Sequence, residues 1–255
     1  MQVASIVGVN YLELTEKDSY HMCLAHMVRE LNDPYTRFFA ERTNQGQFLI
    51  MDNGVAEESQ LSDKELLEKA NIVLPSEIVL RDTVHHGEET IRNSSECLDF
   101  FTKARYSGRY MAVPQGHTWK EWEECAWEML KWPIHTIGIS KFLNQRYGPY
   151  ARFIAVELLI RMFMSKSLKN PTWKFPDIHL LGCWADPREV GTLAMLSHDS
   201  IRGVDSAIPY VYAQEGLLLD ANTPRPNKHP AFYTDRVDAE LLKQNIDLWK
   251  VYSNE

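Results

Sequence analysis

The sequence is poor in cysteine and has no metal-binding cysteine spacing. Only four of its 255 residues are cysteines, and no two of them form a Cys-x-x-Cys pair. That pattern argues against both a disulfide framework and a structural zinc site. Cys23 does lie between His21 and His26. On the helix expected there, however, the two histidines would be five residues apart, which is poor for holding one metal ion. We therefore expect no metal.

Long apolar runs and nucleotide-binding motifs are also missing. No window approaches the roughly 18 consecutive apolar residues of a membrane-spanning helix. The N-terminal segment MQVASIVGVN lacks the basic start of a signal peptide. No Gly-x-Gly-x-x-Gly follows a strand-like run and there is no Walker motif, which disfavours a dinucleotide or nucleoside-triphosphate site. We expect a cytoplasmic protein that uses no cofactor and does not enter a membrane.

Positive charge is in short supply. The chain has 27 Lys and Arg against 35 Asp and Glu, a net charge of −8, so its overall charge does not indicate a nucleic-acid-binding protein. Local contacts to phosphates could still come from small basic groups, although each is more typical of a solvated face. These groups are Lys166, Lys169 and Lys174; Lys141, Arg146 and Arg152; and Arg225 with Lys228.

The chain does contain a repeated alternation of short apolar runs and amphipathic helical segments. The apolar runs occupy 4–9, 48–51, 77–80, 109–114, 135–140, 177–184 and 201–204. Each precedes a helical or irregular segment; the first helix is expected over 18–31 and the last near 237–252. Two helices begin with the Ser/Thr-x-x-Glu pattern of a capping box, at Ser62 and at Thr118. A further helix is expected over SSECLDFFTKA (94–104), which also has Ser and Glu near its start.

This alternation predicts an α/β fold with a parallel sheet covered by helices. The length of about 250 residues favours a (β/α)8 TIM-like barrel, forming a single domain over residues 1–255. Only seven units are clear. We expect the eighth strand at GLLLD (216–220), or a barrel that is modified at its last strand.

Polar residues or glycines follow five of the apolar runs. They are Asp52 after FLIM, Asp82 after EIVLR, Gln115-Gly116 after MAVP, Gly182 after HLL and Asp205 after IRGV. The carboxyl ends of barrel strands meet at one rim, where active sites lie. Each residue alone also fits a turn, since Asp-Asn-Gly at 52–54 is turn chemistry. Their occurrence at five equivalent places favours a shared site.

Three carboxylates and an amide around one pocket suit chemistry at a glycosidic bond. One carboxylate can act as the nucleophile at the anomeric carbon while a second moves protons to and from the leaving group. A third carboxylate and a glutamine can bind the donor and acceptor edge of a purine. A carboxylate is a natural acceptor for the paired N–H groups of guanine.

In this order the motifs resemble those of the tRNA-guanine transglycosylase superfamily, over roughly residues 45–210. The similarity is greatest to the phage branch that exchanges guanine in DNA for a 7-deazaguanine base (DpdA-like proteins). Asp52-Asn53-Gly54-Val55-Ala56-Glu57 is similar to the family's Asp-Ser-Gly-Gly-Phe-Gln, Val113-Pro114-Gln115-Gly116 to its Val-Gln-Gly-Gly, Leu181-Gly182 to its glycine-bearing strand end, and Asp205-Ser206-Ala207-Ile208-Pro209 to its nucleophile segment Asp-x-x-x-Pro. Asp82 falls where the family has a base-recognition aspartate.

The resemblance implies a role for each of these positions. Asp205 would be the nucleophile and Asp52 the general acid/base. The residues that would bind the base or shape its pocket are Asp82, Gln115, Gly116, Gly182, Asn53 and Gly54. The implied substrates are double-stranded DNA, with the target base flipped out of the stack, and a free 7-deazaguanine base. A phage-encoded enzyme of this kind would work in the host cytoplasm.

The chain departs from the tRNA enzymes in two places. It has no Cys-x-Cys-x-x-Cys with a histidine, the zinc site of their C-terminal subdomain. Tyr210-Val211 stand where those enzymes carry the Thr-Arg that is tied to reading the tRNA. Both departures favour DNA as the substrate. Two alternatives stay open: a nucleoside or N-glycoside hydrolase on a similar barrel, and a non-catalytic DNA-binding module with the same fold.

Overall fold

The structure, a computed structural model of the chain, describes residues 1–183, 187–197, 200–220, 226 and 228–253. Its strands are β1 (Gln2–Ser5), β2 (Tyr20–Leu24), β3 (Phe48–Asp52), β4 (Glu77–Val79), β5 (Arg109–Ala112), β6 (Thr136–Ser140), β7 (Asp177–Leu181) and β8 (Ile201–Ser206). All ladders are parallel, and the neighbour order is β1-β8-β7-β6-β5-β4-β3-β2. The first strand therefore pairs with the last, and the sheet forms a nearly closed barrel. The predicted (β/α)8 fold is confirmed.

Helices surround this barrel. In the described residues they are α1 (Pro34–Asn44), α2 (Asp63–Val73), α3 (Gly87–Lys103), α4 (Trp119–Met129), α5 (Phe142–Tyr147), α6 (Ala151–Lys169), α7 (Pro187–Ser197), α8 (Ile208–Gln214) and α9 (Ala239–Tyr252). The caps predicted at Ser62 and Thr118 are present: their hydroxyls accept the backbone N–H groups of Glu65 and Glu121. The helix start expected at Ser94 is wrong, because α3 already begins at Gly87 and Ser94 is buried inside it. Within the described ranges, no helix has the length and apolar character needed to cross a membrane.

The segment predicted as a helix over 18–31 is instead strand β2, followed by a single 3-10 turn at Ala25–Met27. All five residues of β2 are buried. Tyr20 and Met22 face the barrel interior, whereas Cys23 packs on the helix side. A strand that is buried on both faces loses the alternation of polar and apolar residues that would identify it. The prediction was therefore wrong here.

The expected eighth strand at GLLLD is also wrong. Leu217–Asp220 has no regular structure, and the backbone N–H of Leu219 donates to Oδ1 of Asn245 on α9 at 2.7 Å. The strand that the seven predicted units did not include is β2. Because IRGVDS already forms the eighth strand beside β1, the barrel needs no contribution from this later segment.

The barrel interior has a polar floor and an apolar middle. At the amino ends of the strands, the buried carboxylate of Glu77 accepts hydrogen bonds from Arg202 and from Thr136. Arg109 pairs with Asp177 beside them, at 2.5 Å. Apolar side chains fill the layer above, namely Ala4, Met22, Ile50, Val79, Met111 and Val113. The polar floor and the apolar middle layer close the barrel interior at the amino ends of the strands. The opposite end, at the carboxyl ends of the strands, holds a cavity.

Candidate active site

A cavity of about 730 Å³, including its open mouth, lies at the carboxyl ends of the strands. Five of the eight predicted site residues line it: Asp52, Asn53, Asp82, Gly182 and Asp205. Residues at the carboxyl ends of different strands, up to 153 positions apart in the sequence, thus line one pocket, as predicted.

The other three predicted residues support this lining from behind. Gln115 is buried, and its Nε2 donates to Oδ2 of Asp82 at 2.6 Å. Gly116 packs on α4, where a Cβ would come within 2.4 Å of the backbone nitrogen of Trp122. Gly54 has φ +80°, a conformation that favours glycine, and its N–H donates to Oδ2 of Asp52 at 2.9 Å. None of the three is among the residues that line the cavity.

Asp82 is held between two side-chain amides. Nδ2 of Asn53 donates to its Oδ1 at 2.7 Å, opposite the bond from Gln115 to Oδ2. The carboxylate also lines the cavity, where its remaining lone pairs can accept hydrogen bonds from a ligand. Burial raises the pKa of Asp82 to about 6, although the two amide hydrogen bonds act to lower it. This carboxyl is fixed in orientation, and it titrates close to neutral pH.

Asp52 is paired electrostatically with a residue that sequence reasoning missed, Glu57. Desolvation raises the pKa of Asp52 well above its usual range, the negative charge of Glu57 raises it further, and the N–H of Gly54 acts in the opposite direction. Glu57 lies on the turn Val55–Glu57 and lines the mouth of the cavity. Nearby protein atoms partly desolvate the Glu57 carboxyl and so raise its pKa, although the residue as a whole is exposed. Both shifts favour the protonated form of the carboxyl, relative to an aspartate or glutamate in water.

Asp205 ends a chain of hydrogen bonds that runs down into the barrel. Its Oδ1 accepts from Nε2 of His179 at 3.0 Å and from the N–H of Gly182 at 3.3 Å. The other ring nitrogen of His179, Nδ1, lies 2.8 Å from the hydroxyl of Tyr20, whose oxygen accepts from Nε of Arg202 at 3.1 Å. Because arginine only donates, the Tyr20 proton is assigned to Nδ1. With Nδ1 as the acceptor, Nε2 is the nitrogen that donates to Asp205.

His179 and Tyr20 had no signal in the sequence strong enough to single them out. His179 is one polar residue inside the apolar run DIHLLGCW, and Tyr20 lies in the segment that was predicted to be helical. Alternation along β7 places His179 on the same face of the strand as Asp177 and Leu181. That alternation would have directed His179 into the barrel once the strand was assigned, but it does not identify the partner across the barrel.

The basic residues proposed from the sequence differ in their positions. Lys141 lines the cavity, and Nη2 of the exposed Arg146 lies 2.7 Å from Nε2 of His117. Arg152 is fully buried and paired with Glu189 at 2.8 Å, so it cannot contact a ligand phosphate. Arg225 lies outside the described residues.

Metal-binding groups are not evident in the ranges that the structure describes, where no three His, Cys, Asp or Glu side chains are arranged to hold an ion. His21 is committed elsewhere: its Nε2 lies 2.8 Å from the carbonyl oxygen of Asp18 and 3.0 Å from Oε1 of Gln47.

No protein-family model matches the chain, and no curated protein matches it. The fold and the cavity define a (β/α)8 barrel protein with acidic side chains gathered at the carboxyl ends of its strands, the end at which barrel enzymes carry their active sites.

Proposed function

We propose that the protein is a glycosyltransferase that replaces guanine in DNA with a 7-deazaguanine base. The observation that carries this proposal is that Asp52, Asp82 and Asp205, which come from three separate strand ends, line a single cavity. It is supported by the ordered resemblance of the sequence motifs to base-exchanging transglycosylases. Burial also raises the pKa of Asp52, as a general acid requires, and Asp205 is held in one orientation by two hydrogen bonds to its Oδ1.

In the first step Asp205 attacks C1′ of the target nucleotide. Oδ1 is engaged by His179 and Gly182, which leaves Oδ2 as the attacking atom. The bond between C1′ and the purine breaks, and its electron pair leaves with the base. Asp52, whose pKa is raised, donates the proton that neutralises the departing guanine. The sugar is then bound covalently to Asp205.

In the second step the incoming 7-deazaguanine replaces the aspartyl ester. Asp52 takes the proton from the ring nitrogen of the new base, and that nitrogen attacks C1′. The bond to Asp205 breaks, which restores the carboxylate. Two inversions give overall retention at C1′. The proton lost by the incoming base balances the one gained by guanine, so the enzyme returns to its starting state without any cofactor.

Asp82 is the group that recognises the base in this proposal. Its free lone pairs accept the paired N–H groups of guanine, an edge that 7-deazaguanine shares. Asn53 and Gln115 hold the carboxylate in place from behind. Gln115 thus takes a supporting role here, in place of the direct contact with the base expected from the sequence. A single recognition group for both bases suits an exchange reaction.

Flipping the target base out of the duplex costs a few kcal/mol, which contacts to the DNA backbone must offset. In this proposal Lys141, which lines the cavity, and Arg146 on α5 supply such contacts. Binding of duplex DNA, measured by fluorescence anisotropy, should therefore weaken steeply as salt is raised, despite the overall charge of −8. A flat response to salt would contradict this mode of binding.

The decisive experiment incubates the protein with duplex DNA and a labelled 7-deazaguanine, alongside DNA alone. Incorporation of label with release of guanine supports exchange. Release of guanine without incorporation identifies a hydrolase, and binding without either reaction identifies a non-catalytic module. Asp205→Asn should lower incorporation by at least about 10³-fold, as removal of a nucleophile does elsewhere. Asp99→Asn, the same change on an exposed residue of α3, is the matched control.

A further inference from the structure

Helix α6 carries an apolar stripe on its outer surface. The stripe starts at the N-cap residue and consists of Tyr150, Ile154, Glu157, Arg161, Met164 and Leu168, all of them exposed. Its four apolar members are 48% to 85% exposed. The opposite face of α6 is buried on the barrel through residues such as Ala155, Leu159 and Phe163. A helix with apolar residues on both faces is typical of one that is covered on both sides.

The spacing of the stripe is that of a helix-pairing seam. Successive members are four, three, four, three and four residues apart. The alternation of four and three is that of the a and d positions of a heptad repeat. Over these five intervals the mean spacing is 3.6 residues, so the stripe runs straight along one side of the helix and can face a second helix over its length. The ordinary requirement of a barrel helix is a single apolar face, and α6 already meets it with its buried side. The outer seam therefore indicates a second helical neighbour.

The stripe is complementary to itself when two copies run antiparallel. With the two-fold axis at Leu159, Tyr150 lies opposite Leu168 of the second copy and Ile154 opposite Met164. Glu157 then lies opposite Arg161, and symmetry makes this charge pair twice. In a parallel arrangement the same residues would place like charges together. The only two charges of the stripe thus select an antiparallel second copy.

Further exposed apolar residues lie on the two helices that contact α6 and on the segment that follows it. Seven of the thirteen large apolar side chains that are exposed in the described residues lie on α6 or near it: the four of the stripe together with Trp127 on α4, Phe175 after α6 and Met195 on α7. Helices α4 and α7 both contact α6. A stable dimer needs about 800 Å² from each partner, more than one helix seam supplies, and these flanking residues provide additional area. Such a concentration of apolar side chains is typical of an interface.

We infer that the protein forms a two-fold dimer in which α6 of one protomer packs antiparallel on α6 of its partner, with Glu157 of each copy paired with Arg161 of the other. A second copy of this chain is favoured over an unrelated partner because the stripe is complementary to itself. When one copy is reversed, apolar residues face apolar residues and Glu157 faces Arg161.

Sedimentation velocity of the full chain over a series of concentrations tests this inference. The dimer fraction of the wild type should rise with concentration. Arg161→Glu places glutamates opposite glutamates and Glu157→Arg places arginines opposite arginines, so each variant should be monomeric. The double variant with both changes restores opposite charges and should dimerise again. A mixture of the two single variants should also dimerise, because a chain with two arginines then meets a chain with two glutamates.

Lys243→Glu, a charge reversal on the exposed face of α9, is the control and should leave the dimer intact. Circular dichroism checks that each variant is folded. A wild-type protein that stays monomeric at all concentrations overturns the inference, as does a dimer that Arg161→Glu leaves unchanged. Failure of the mixed single variants to associate, with both folded, also overturns it.

Discussion

Nε2 of His179 lies 3.0 Å from Oδ1 of Asp205, with both side chains buried in the barrel. The imidazole is fixed in turn by the hydroxyl of Tyr20, and that hydroxyl by Arg202 from the floor. The nucleophile proposed for this site is therefore anchored to the rigid interior of the barrel. In such an arrangement the orientation of the attacking oxygen depends on residues that never touch substrate.

His179 is expected to act as a positioning residue. His179→Leu removes the donor to Asp205, so the carboxylate loses its fixed orientation. A misplacement of about 1 Å can lower a rate by about 10²-fold. We expect kcat for base exchange to fall by about this factor while KM stays close to that of the wild type. His179→Gln retains an N–H group that can reach Asp205 and should recover part of the rate.

Steady-state kinetics of the two variants, together with their thermal unfolding, provides the check. A purely structural role would lower the activity of both in proportion to the folded fraction. Equal kcat values for His179→Leu and the wild type, with both folded, would contradict the positioning role. A rise in KM alone would place His179 in substrate binding.

The pH profile of base exchange should respond to Glu57. In its proposed role as the general acid, Asp52 must hold a proton, so activity should be lost as pH rises through its pKa. The negative charge of Glu57 is one of the causes that raise this pKa. Glu57→Gln removes that charge and therefore lowers the pKa of Asp52. The alkaline limb of the kcat profile should move to lower pH.

Glu58→Gln is the matched control, because it makes the same change on the next residue, which does not line the cavity. Its profile should coincide with that of the wild type. If Glu57→Gln abolished the reaction at every pH, Glu57 itself would be the acid. An alkaline limb that moved to higher pH would show that the coupling between the two carboxyls has the opposite sign.

Asp82→Asn should change how folding stability depends on pH. The pKa of Asp82 is about 6 in the folded protein against an ordinary value of 3.8. Between these values the folded state holds a proton that the unfolded state has released. The stability that this group contributes is full below the lower value and is lost as pH rises through the upper one. Asparagine does not titrate. As pH rises from acid to neutral, the free energy of unfolding of the variant should therefore increase by about 3 kcal/mol relative to that of the wild type.

Urea unfolding of both proteins at about pH 3.5 and about pH 7 measures this difference. The new amide also faces the Nε2 donor of Gln115, which lowers the stability of the variant, but that cost is the same at both pH values and cancels. Asp99→Asn controls for replacement of an aspartate at the surface. Parallel pH dependences of wild type and Asp82→Asn would contradict the raised pKa.

The residues at the rim of the barrel could be predicted from the sequence, whereas the contacts in its interior could not. Asp52, Asp82 and Asp205 follow apolar runs, and the geometry of a parallel barrel carries such positions to one rim wherever each lies in the sequence. Strand β2 was missed because burial on both faces hides its period. The contact between His179 and Asp205 was missed for a different reason: it depends on the register between β7 and β8, which has an irregularity at Ile178 and His179. No local pattern reveals such a register.

Arg152 illustrates the same limit, since its sequence neighbourhood suggested a surface cation. Its guanidinium is buried, pairs with Glu189 at 2.8 Å and donates to the carbonyl oxygen of Gly182 at 2.7 Å. Arg152→Leu leaves the Glu189 carboxylate without its partner and should destabilise the protein by about 3–5 kcal/mol. The double change with Glu189→Leu should recover much of this, because no unpaired charge remains.

Urea unfolding compares these variants with Arg92→Leu, which removes an exposed arginine on α3 and should cost less than about 1 kcal/mol. The recovery in the double variant should be incomplete, since the carbonyl of Gly182 and the side chain of Asn144 also lose hydrogen bonds. Equal stability of Arg152→Leu and Arg92→Leu would contradict a buried ion pair.

The buried position of the Arg152 guanidinium also predicts that it makes no contact with DNA. The salt dependence of DNA binding should therefore be the same for folded Arg152→Leu as for the wild type. A shallower slope for the variant would assign Arg152 to the DNA-binding surface.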